Sequence, residues 1–238
     1  MQIELILSPS LYEGRQIHDH VTVAVDILRA STAICAAFKA GVDEVVPLDT
    51  LDALPEYKGR GYTIAAERNG SKLPGASCGN SPTEYLTMDL HGHRLAYSTT
   101  NGTVTILRAS DSLQLYVGAF SNITALSSRL ALCRKDLVIL CSGWRGEPSL
   151  EDTLFGGALI EHIMSLRSDI KLVNDAAMLA LDLWHVAQPN PAVYCEKATH
   201  VHRLKRLNAD KDIQFAFLTD TCPVVPVFNK ETGSLWKE

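Results

Sequence analysis

Val23-Ala24-Val25-Asp26-Ile27-Leu28-Arg29-Ala30-Ser31-Thr32 is an apolar run that ends in an acid, an arginine and two hydroxyls, and then turns helical. Its first part predicts a strand over 21–25, apolar throughout as a strand covered on both faces is. Ser31 opens a helix of small residues that runs to a glycine stop at Gly41. A strand feeding straight into a helix is the repeating unit of an open parallel sheet. Such sheets bind ligands beyond the carboxyl ends of their strands, where the first turn of the following helix presents unpaired N–H groups. Asp26 falls at that point.

Two later stretches break in the same way: Leu95-Ala96-Tyr97-Ser98-Thr99-Thr100-Asn101-Gly102-Thr103 and Leu137-Val138-Ile139-Leu140-Cys141-Ser142-Gly143. Around them the pattern predicts strands at 3–7, 44–48, 62–65, 94–98, 114–117, 137–141 and 213–218, and an extended segment at 224–228. Helices are expected from 102 to 109, from a Ser121-Asn122 cap to Cys133, from Ser149 to 166, and over 174–186 and 192–207, with a turn or two at 51–57. Ser81, Pro82 and Glu84 give another helix start. Ser149 with Asp152 reads as a capping box. The span 67–82 is rich in turn formers and reads as a long functional loop. Alternating strands and helices predict a three-layer α/β/α fold on a mainly parallel or mixed sheet, in one domain over 1–238, with two intimately packed lobes as the alternative.

The chain has 238 residues, nearly half of them apolar, and a formal net charge of −5 with both signs interspersed. No basic stripe points to nucleic acid and no polybasic segment to a membrane surface. The expected partner is a small molecule; a homo-oligomer is left open. Six cysteines, at 35, 78, 133, 141, 195 and 222, are scattered without metal-site spacing and read as reduced. With no secretory pattern at the N-terminus and no apolar run near ~20 residues, the expected location is the cytoplasm.

Asp26, Glu67, Glu151 and Asp152 stand at strand exits or helix starts. Clustered carboxylates with waters and a substrate phosphate are a Mg²⁺ arrangement; first-turn dipole compensation is the ordinary alternative for Glu151 and Asp152. Asp26 follows an apolar strand, where an uncompensated carboxylate is costly, which favours a ligand or catalytic role. Arg29, Arg68 and Arg145 are candidate anion clamps, because a guanidinium fork takes two phosphate oxygens at once. Ser31, Thr32, Asn80, Ser81, Thr99, Thr100, Asn101, Gly102 and Thr103 supply hydroxyls, amides and backbone N–H groups for phosphate, with plain helix capping as the alternative. The pairs His18/His20, His91/His93 and His200/His202 read as surface histidines. Cys141 and Arg145 stand too close in sequence for a cysteine-phosphatase loop, and Leu28 occupies the place of the second aspartate of a haloacid-dehalogenase-type phosphatase.

Taken in order, Val25-Asp26-Ile27-Leu28-Arg29-Ala30-Ser31-Thr32, Glu67-Arg68-Asn69-Gly70, Gly79-Asn80-Ser81-Pro82-Thr83-Glu84-Tyr85, Thr99-Thr100-Asn101-Gly102-Thr103 and Cys141-Ser142-Gly143 through Ser149-Leu150-Glu151-Asp152 resemble the 2-phosphosulfolactate phosphatase family. The resemblance implies an α/β fold and Mg²⁺-dependent hydrolysis of 2-phospho-3-sulfolactate to 3-sulfolactate, a step toward coenzyme M. The chain departs from the family pattern at Gly75-Ala76-Ser77-Cys78, where an aromatic and an acid are expected before Gly79. Asp26, Arg29 and Arg68 are then the expected catalytic groups, with Asp26, Glu67, Glu151 and Asp152 on the metal. A binding module for a phosphorylated metabolite, or a phosphatase for another small phospho-acid, are the alternatives.

Overall fold

The computed structural model describes residues 1–12 and 18–238. Its strands are β1 (Gln2–Ile6), β2 (Val21–Val25), β3 (Glu44–Pro47), β4 (Thr63–Arg68), β5 (Ser71–Lys72), β6 (Arg94–Ser98), β7 (Gln114–Gly118), β8 (Leu137–Cys141), β9 (Lys171–Leu172), β10 (Pro226–Asn229) and β11 (Ser234–Lys237). The helices are α1 (Ala30–Lys39), α2 (Leu54–Gly59), α3 (Pro82–Tyr85), α4 (Gly102–Arg108), α5 (Ile123–Ala131), α6 (Leu150–Leu166), α7 (Asp175–Ala187), α8 (Pro191–Tyr194), α9 (Thr199–Arg206) and α10 (Asp210–Ala216). Among the described residues, no helix is long and apolar enough to cross a membrane.

All the strands join one mixed sheet in the order β5-β4-β6-β3-β11-β10-β7-β2-β8-β1-β9. β2 pairs in parallel with β7 and β8, and its five residues are all buried. The two sides of β2 meet different helices. Val23 packs beside Gly118 with Leu126 of α5 and Phe155 of α6, whereas Ala24 lines a small void with Ile106 of α4. Helices on both faces explain why the strand carries no polar alternation.

The C-terminal hairpin β10–β11 sits mid-sheet, antiparallel to β7 on one side and to β3 on the other. It therefore separates two parallel sets, β7-β2-β8-β1-β9 and β3-β6-β4, and reverses their hydrogen-bonding sense. Twist accumulating at roughly 20–25° per strand turns the chain direction well past a right angle between β2 and β4. The carboxyl ends of β2, β4 and β6 consequently meet at one cavity, lined by Asp26, Glu67 and Thr99.

Several expectations are corrected. The 213–218 stretch is not a strand. Asp210 and Asp212 favour a helix N-terminus, and the buried set Asp212, Ile213 and Ala216 follows a helical rather than a two-residue period. The single helix expected over 192–207 divides into α8, a short 3-10 turn and α9. The long loop begins as a hairpin. Asn69 and Gly70 both have positive φ and form the two-residue turn that pairs β4 with β5, an Asn-Gly signal present in the sequence. Ser149 makes no side-chain cap at α6; Asp152 is engaged elsewhere, as described below.

α6 and α7 cross closely because Gly157 has no side chain. A Cβ there would stand 2.0 Å from the Ala180 carbonyl oxygen and 2.8 Å from Trp184 Cβ. Alanine gains up to ~1 kcal/mol of helix propensity, but the obstacle is backbone and overpacking costs more. Gly157→Ala is expected to lose about 2 kcal/mol net and to lower Tm by about 5 °C. A thermal melt with unchanged or raised Tm would show that the two helices can slide apart.

Candidate active site

The exit of β2 is built around Asp26. Its backbone carbonyl accepts from Ser31 N and Ser31 Oγ, both at 2.8 Å, and its N–H donates to Ser31 Oγ at 3.1 Å. Thr32 Oγ1 donates to the Ile27 carbonyl at 2.9 Å. These hydroxyls lock the strand-to-helix turn, in which the Leu28–Arg29 peptide is cis. The carboxylate accepts from Ala30 N through Oδ1 at 3.2 Å, while Oδ2 receives no hydrogen bond from the described residues. Gly102 lies against it: a Cβ there would come within 2.3 Å of Ala30 Cβ and 2.8 Å of Asp26 Oδ2, so only glycine lets α4 start this close.

Burial pushes the Asp26 carboxyl up to about 6, opposed by His200 and by the Ala30 N–H, with Glu67 and Glu151 adding to the rise. Burial also holds Asp152 well above the ordinary aspartate value, reinforced by Asp26 and Glu151. Several acids therefore share one low-dielectric region, and each charge raises the cost of the next.

The four acids have different fates. Glu67 Oε1 accepts from Thr100 N (2.8 Å) and Thr100 Oγ1 (2.9 Å), and its Oε2 from Gly70 N (2.5 Å), so it ties the β4 turn to the β6 turn. Asp152 accepts from Ile27 N at 2.8 Å and Gly143 N at 3.1 Å, bracing the exits of β2 and β8. Glu151 pairs with His200 through Oε1 (3.0 Å), and its Oε2 is buried without a partner among the described residues. Of these carboxylates only Asp26 and Glu151 keep an oxygen to which no described residue donates. Among the described residues no three His, Cys, Asp or Glu side chains are grouped to hold one ion. The arrangement suits a hard cation held by Asp26 together with water and substrate oxygens, as Mg²⁺ is usually held, and not a cage of four acids.

Arg29 is buried. Its Nη1 donates to Asp212 Oδ2 at 2.8 Å and its Nη2 to the Gly70 carbonyl at 2.6 Å, with side-chain exposures of 8% for Arg29 and 5% for Asp212. Asp212 also accepts from Ser81 Oγ (2.7 Å) and Thr83 Oγ1 (2.6 Å). Each terminal nitrogen of Arg29 keeps a second N–H, so the cavity retains donors from this group.

The cavity, about 150 Å³, is lined by Asp26, Arg29, Glu67, Asn80, Thr99, Thr100, Asn101 and Arg145 among the residues expected from sequence. Tyr97 OH donates to Asn80 Oδ1, which leaves the amide NH₂ to the cavity. The cavity lining does not include Arg68, Ser31, Thr32, Ser81, Gly102, Thr103, Glu151 or Asp152. Arg68 is adjacent to Glu67 on a strand and so points to the opposite face; it bonds the Glu67 carbonyl and Ser98 Oγ. Thr103 is engaged with Thr99 at the start of α4: its N–H donates to Thr99 Oγ1, and its hydroxyl accepts from Thr99 N and donates to the Thr99 carbonyl. Ser81 caps α3 and serves Asp212.

Seven lining residues were not anticipated as site residues: Leu28, Asn69, Gly70, Trp144, His200, Arg203 and Leu204. His200 is buried and stacks on Trp144, with ring centroids 5.5 Å apart and 6° between planes; the surface reading holds for His202, His91 and His93 but fails for His200. Arg145 and Arg203 lie over the same indole at 4.6 and 5.8 Å. Burial, then the like charges of Arg145, Arg29 and Arg206, lower Arg203 from the usual arginine value against the pull of Glu67. Neither Arg145 nor Arg203 forms a salt bridge among the described residues. Guanidinium groups gathered without carboxylate partners make an anion site. A larger cavity, about 360 Å³, adjoins beyond Trp144 and His200 and reaches Glu151. All six cysteines are free, and burial raises the Cys141 thiol well above its ordinary value, which disfavours a thiolate there.

Residues 6–231 match the family described as 2-phosphosulpholactate phosphatase. Among curated proteins, the chain is similar to ones named "Probable 2-phosphosulfolactate phosphatase". It is 35% identical over 226 residues to that of Prochlorococcus marinus, covering 92% of this chain and 93% of that protein. Identity is 31% over 221 residues with that of Symbiobacterium thermophilum, covering 91% and 94%. It is again 31% with that of Clostridium novyi, over 234 residues, covering 96% and 97%.

Removing the charge of Asp212 leaves Arg29 buried beside neutral acceptors. Asp212→Asn is expected to lose about 3 kcal/mol and to lower Tm by about 6–12 °C. Calorimetry showing a loss below ~1 kcal/mol would mean that Gly70 and solvent satisfy Arg29 unaided.

Proposed function

Because the chain belongs to the 2-phosphosulpholactate phosphatase family, we propose that it hydrolyses the phosphate monoester of 2-phospho-3-sulfolactate, with Mg²⁺, to 3-sulfolactate and phosphate, a step toward coenzyme M. The observation that carries this reading is Asp26 Oδ2, a carboxylate oxygen without a donor, in a cavity that also holds Arg29, Arg145 and Arg203. Such a site suits a small molecule with more than one anionic group.

Each residue has a chemical task in this reading. Asp26 would hold Mg²⁺, which supplies charge neutralisation at the phosphoryl oxygens. The free N–H groups of Arg29, the Asn80 amide and Asn101 bind phosphate oxygens and stabilise charge on the leaving oxygen, while Thr100, held by Glu67, shapes the turn that presents them. Arg145 and Arg203 take the sulfonate or carboxylate end, with the Trp144 face holding both guanidinium groups in place.

The direct experiment is phosphate release from 2-phospho-3-sulfolactate, other phosphorylated hydroxy acids and p-nitrophenyl phosphate, with Mg²⁺ and after chelation. Turnover should vanish in EDTA and return with Mg²⁺. Undiminished turnover after thorough chelation removes the metal from the mechanism. Binding of phospho-acids without any release makes the protein a binding module.

Asp26→Asn should lower kcat by at least ~10³-fold, equivalent to about 4 kcal/mol of transition-state stabilisation. It should also change the pH dependence of stability. The carboxyl sits near 6 in the folded chain against an ordinary 3.8, so the folded state holds the proton more tightly than the unfolded chain. Stability contributed by the protonated form is present below about pH 4 and is lost as pH rises to about 6. In EDTA, Asp26→Asn should therefore exceed wild type in stability at pH 7 by at most about 3 kcal/mol, with the gap closing below about pH 4. A variant that is inactive because it unfolds at pH 7 would make Asp26 structural.

A further inference from the structure

We propose that His200, oriented by Glu151, is the group that takes the proton from the water attacking the phosphoryl group; this inference rests on the phosphatase reading above. The pair joins two helices: Glu151 in the first turn of α6 and His200 in the first turn of α9, Nδ1 to Oε1 at 3.0 Å, both buried. On the other side of the ring, Arg203 Nη1 stands 3.4 Å from Nε2. A guanidinium has only donors, so this approach makes Nε2 the acceptor and leaves the ring proton on Nδ1, donated to Glu151. In this tautomer the ring's single lone pair lies at Nε2, held by Arg203 in the free protein and released when Arg203 turns to the anionic end of the substrate, which is the form a general base requires.

Two further features separate this from a histidine that merely fills the core. The ring is fixed flat against Trp144, so its lone pair has one direction, and His200 lines both the cavity holding Asp26 and the larger one beyond. Glu151 Oε2 is buried with no hydrogen-bond partner among the described residues. An uncompensated carboxylate oxygen beside a neutral imidazole costs energy in the resting protein, and that cost is relieved when the ring becomes cationic. Glu151 thus fixes the ring through Nδ1 and stands beside the cation that proton transfer creates, as a carboxylate behind a catalytic histidine does in other hydrolases.

In the step assigned to it, the water oxygen bonds to phosphorus as the bond from phosphorus to the ester oxygen breaks. The water proton moves to Nε2, giving an imidazolium beside Glu151. The electron pair of the broken bond stays on the ester oxygen, which takes a proton from solvent, and the imidazolium then returns its proton to solvent. Glu151 is a positioning residue; His200 alone exchanges the proton.

The test uses the full chain with Mg²⁺. His200→Ala should lower kcat on a phosphorylated hydroxy acid by about 10²–10⁴-fold with KM little changed. Imidazole added to that variant should restore turnover saturably, and among azoles of similar size the restored rate should rise with basicity. Glu151→Gln keeps an acceptor for Nδ1 but no charge, and should lower kcat about tenfold or more with phosphate inhibition unaltered. A His200→Ala rate within threefold of wild type, or rescue indifferent to azole basicity, overturns the inference. If His200→Ala fails to fold, the near-isosteric Glu151→Gln decides, and unchanged kcat there overturns it. Wild type inactive on every phosphomonoester overturns the phosphatase reading and this inference together; active wild type with active variants overturns this inference alone.

Discussion

The buried pair between Arg29 and Asp212 holds together parts of the chain that have no other reason to meet. Arg29 follows β2, in one parallel set of the sheet; the Gly70 carbonyl it also binds belongs to the β4–β5 turn of the other set. Asp212 sits on α10 and collects Ser81 and Thr83 at the start of α3. An ion pair this deep is not a large net stabiliser, because removing two charges from water costs most of what their attraction returns. Its effect is conditional. Once either partner is buried the other must be present, so α10, the hairpin turn and the β2 exit are constrained to one arrangement. That arrangement encloses the cavity.

A second constraint follows from how many acids are brought to the same place. Glu67 and Asp152 are charged side chains used as acceptors for backbone N–H groups at the ends of strands, where peptide donors would otherwise lack partners. Their role is to hold turns together. Asp26 and Glu151, similarly buried, each keep an oxygen that nothing in the described protein donates to. Such oxygens are costly in a fold that satisfies its other acids, and the imbalance is reasonable where a cation, a proton or a substrate completes the site. The arginines show the converse: Arg29 is paired, while Arg145 and Arg203 share an indole face and form no salt bridge among the described residues. A cavity lined both by Asp26 and by these two cations suits an anion that reacts at one group and is held at another.

Much of this was legible without coordinates. The strands over 21–25 and 137–141 are wholly apolar or small runs, and the helix after Ser149 is a long segment that opens on two acids, so their local patterns identify them even though Ser149 itself makes no cap. Asp26 stood out because an acid after a doubly buried strand has no bland explanation. The Thr99-Thr100-Asn101 turn and Asn80 reach the cavity for the reason expected, being at strand exits and a helix start. Arg68 does not line the cavity, as the period of two along a strand, which separates it from Glu67, already implies. The Asn69-Gly70 hairpin was also readable, since both residues tolerate positive φ.

What the sequence by itself determined, then, is most of the local units and the polar groups at their ends, the C-terminal third apart, where 213–218 is a helix and 192–207 is divided because packing and not local pattern sets them. The tertiary structure alone decided which ends meet. No local pattern places the C-terminal hairpin in mid-sheet, reverses the sense of one parallel set, or lets twist carry β4 and β6 round to β2. No spacing joins Asp212 to Arg29, or His200 to Glu151 and Trp144, because these contacts span large separations along the chain and depend on the packing of α9 and α10. Periodicity reports what a residue's near neighbours in sequence allow. Charge pairing, burial and the freedom of a single carboxylate oxygen are set by neighbours in space, and those exist only once the sheet has closed around them.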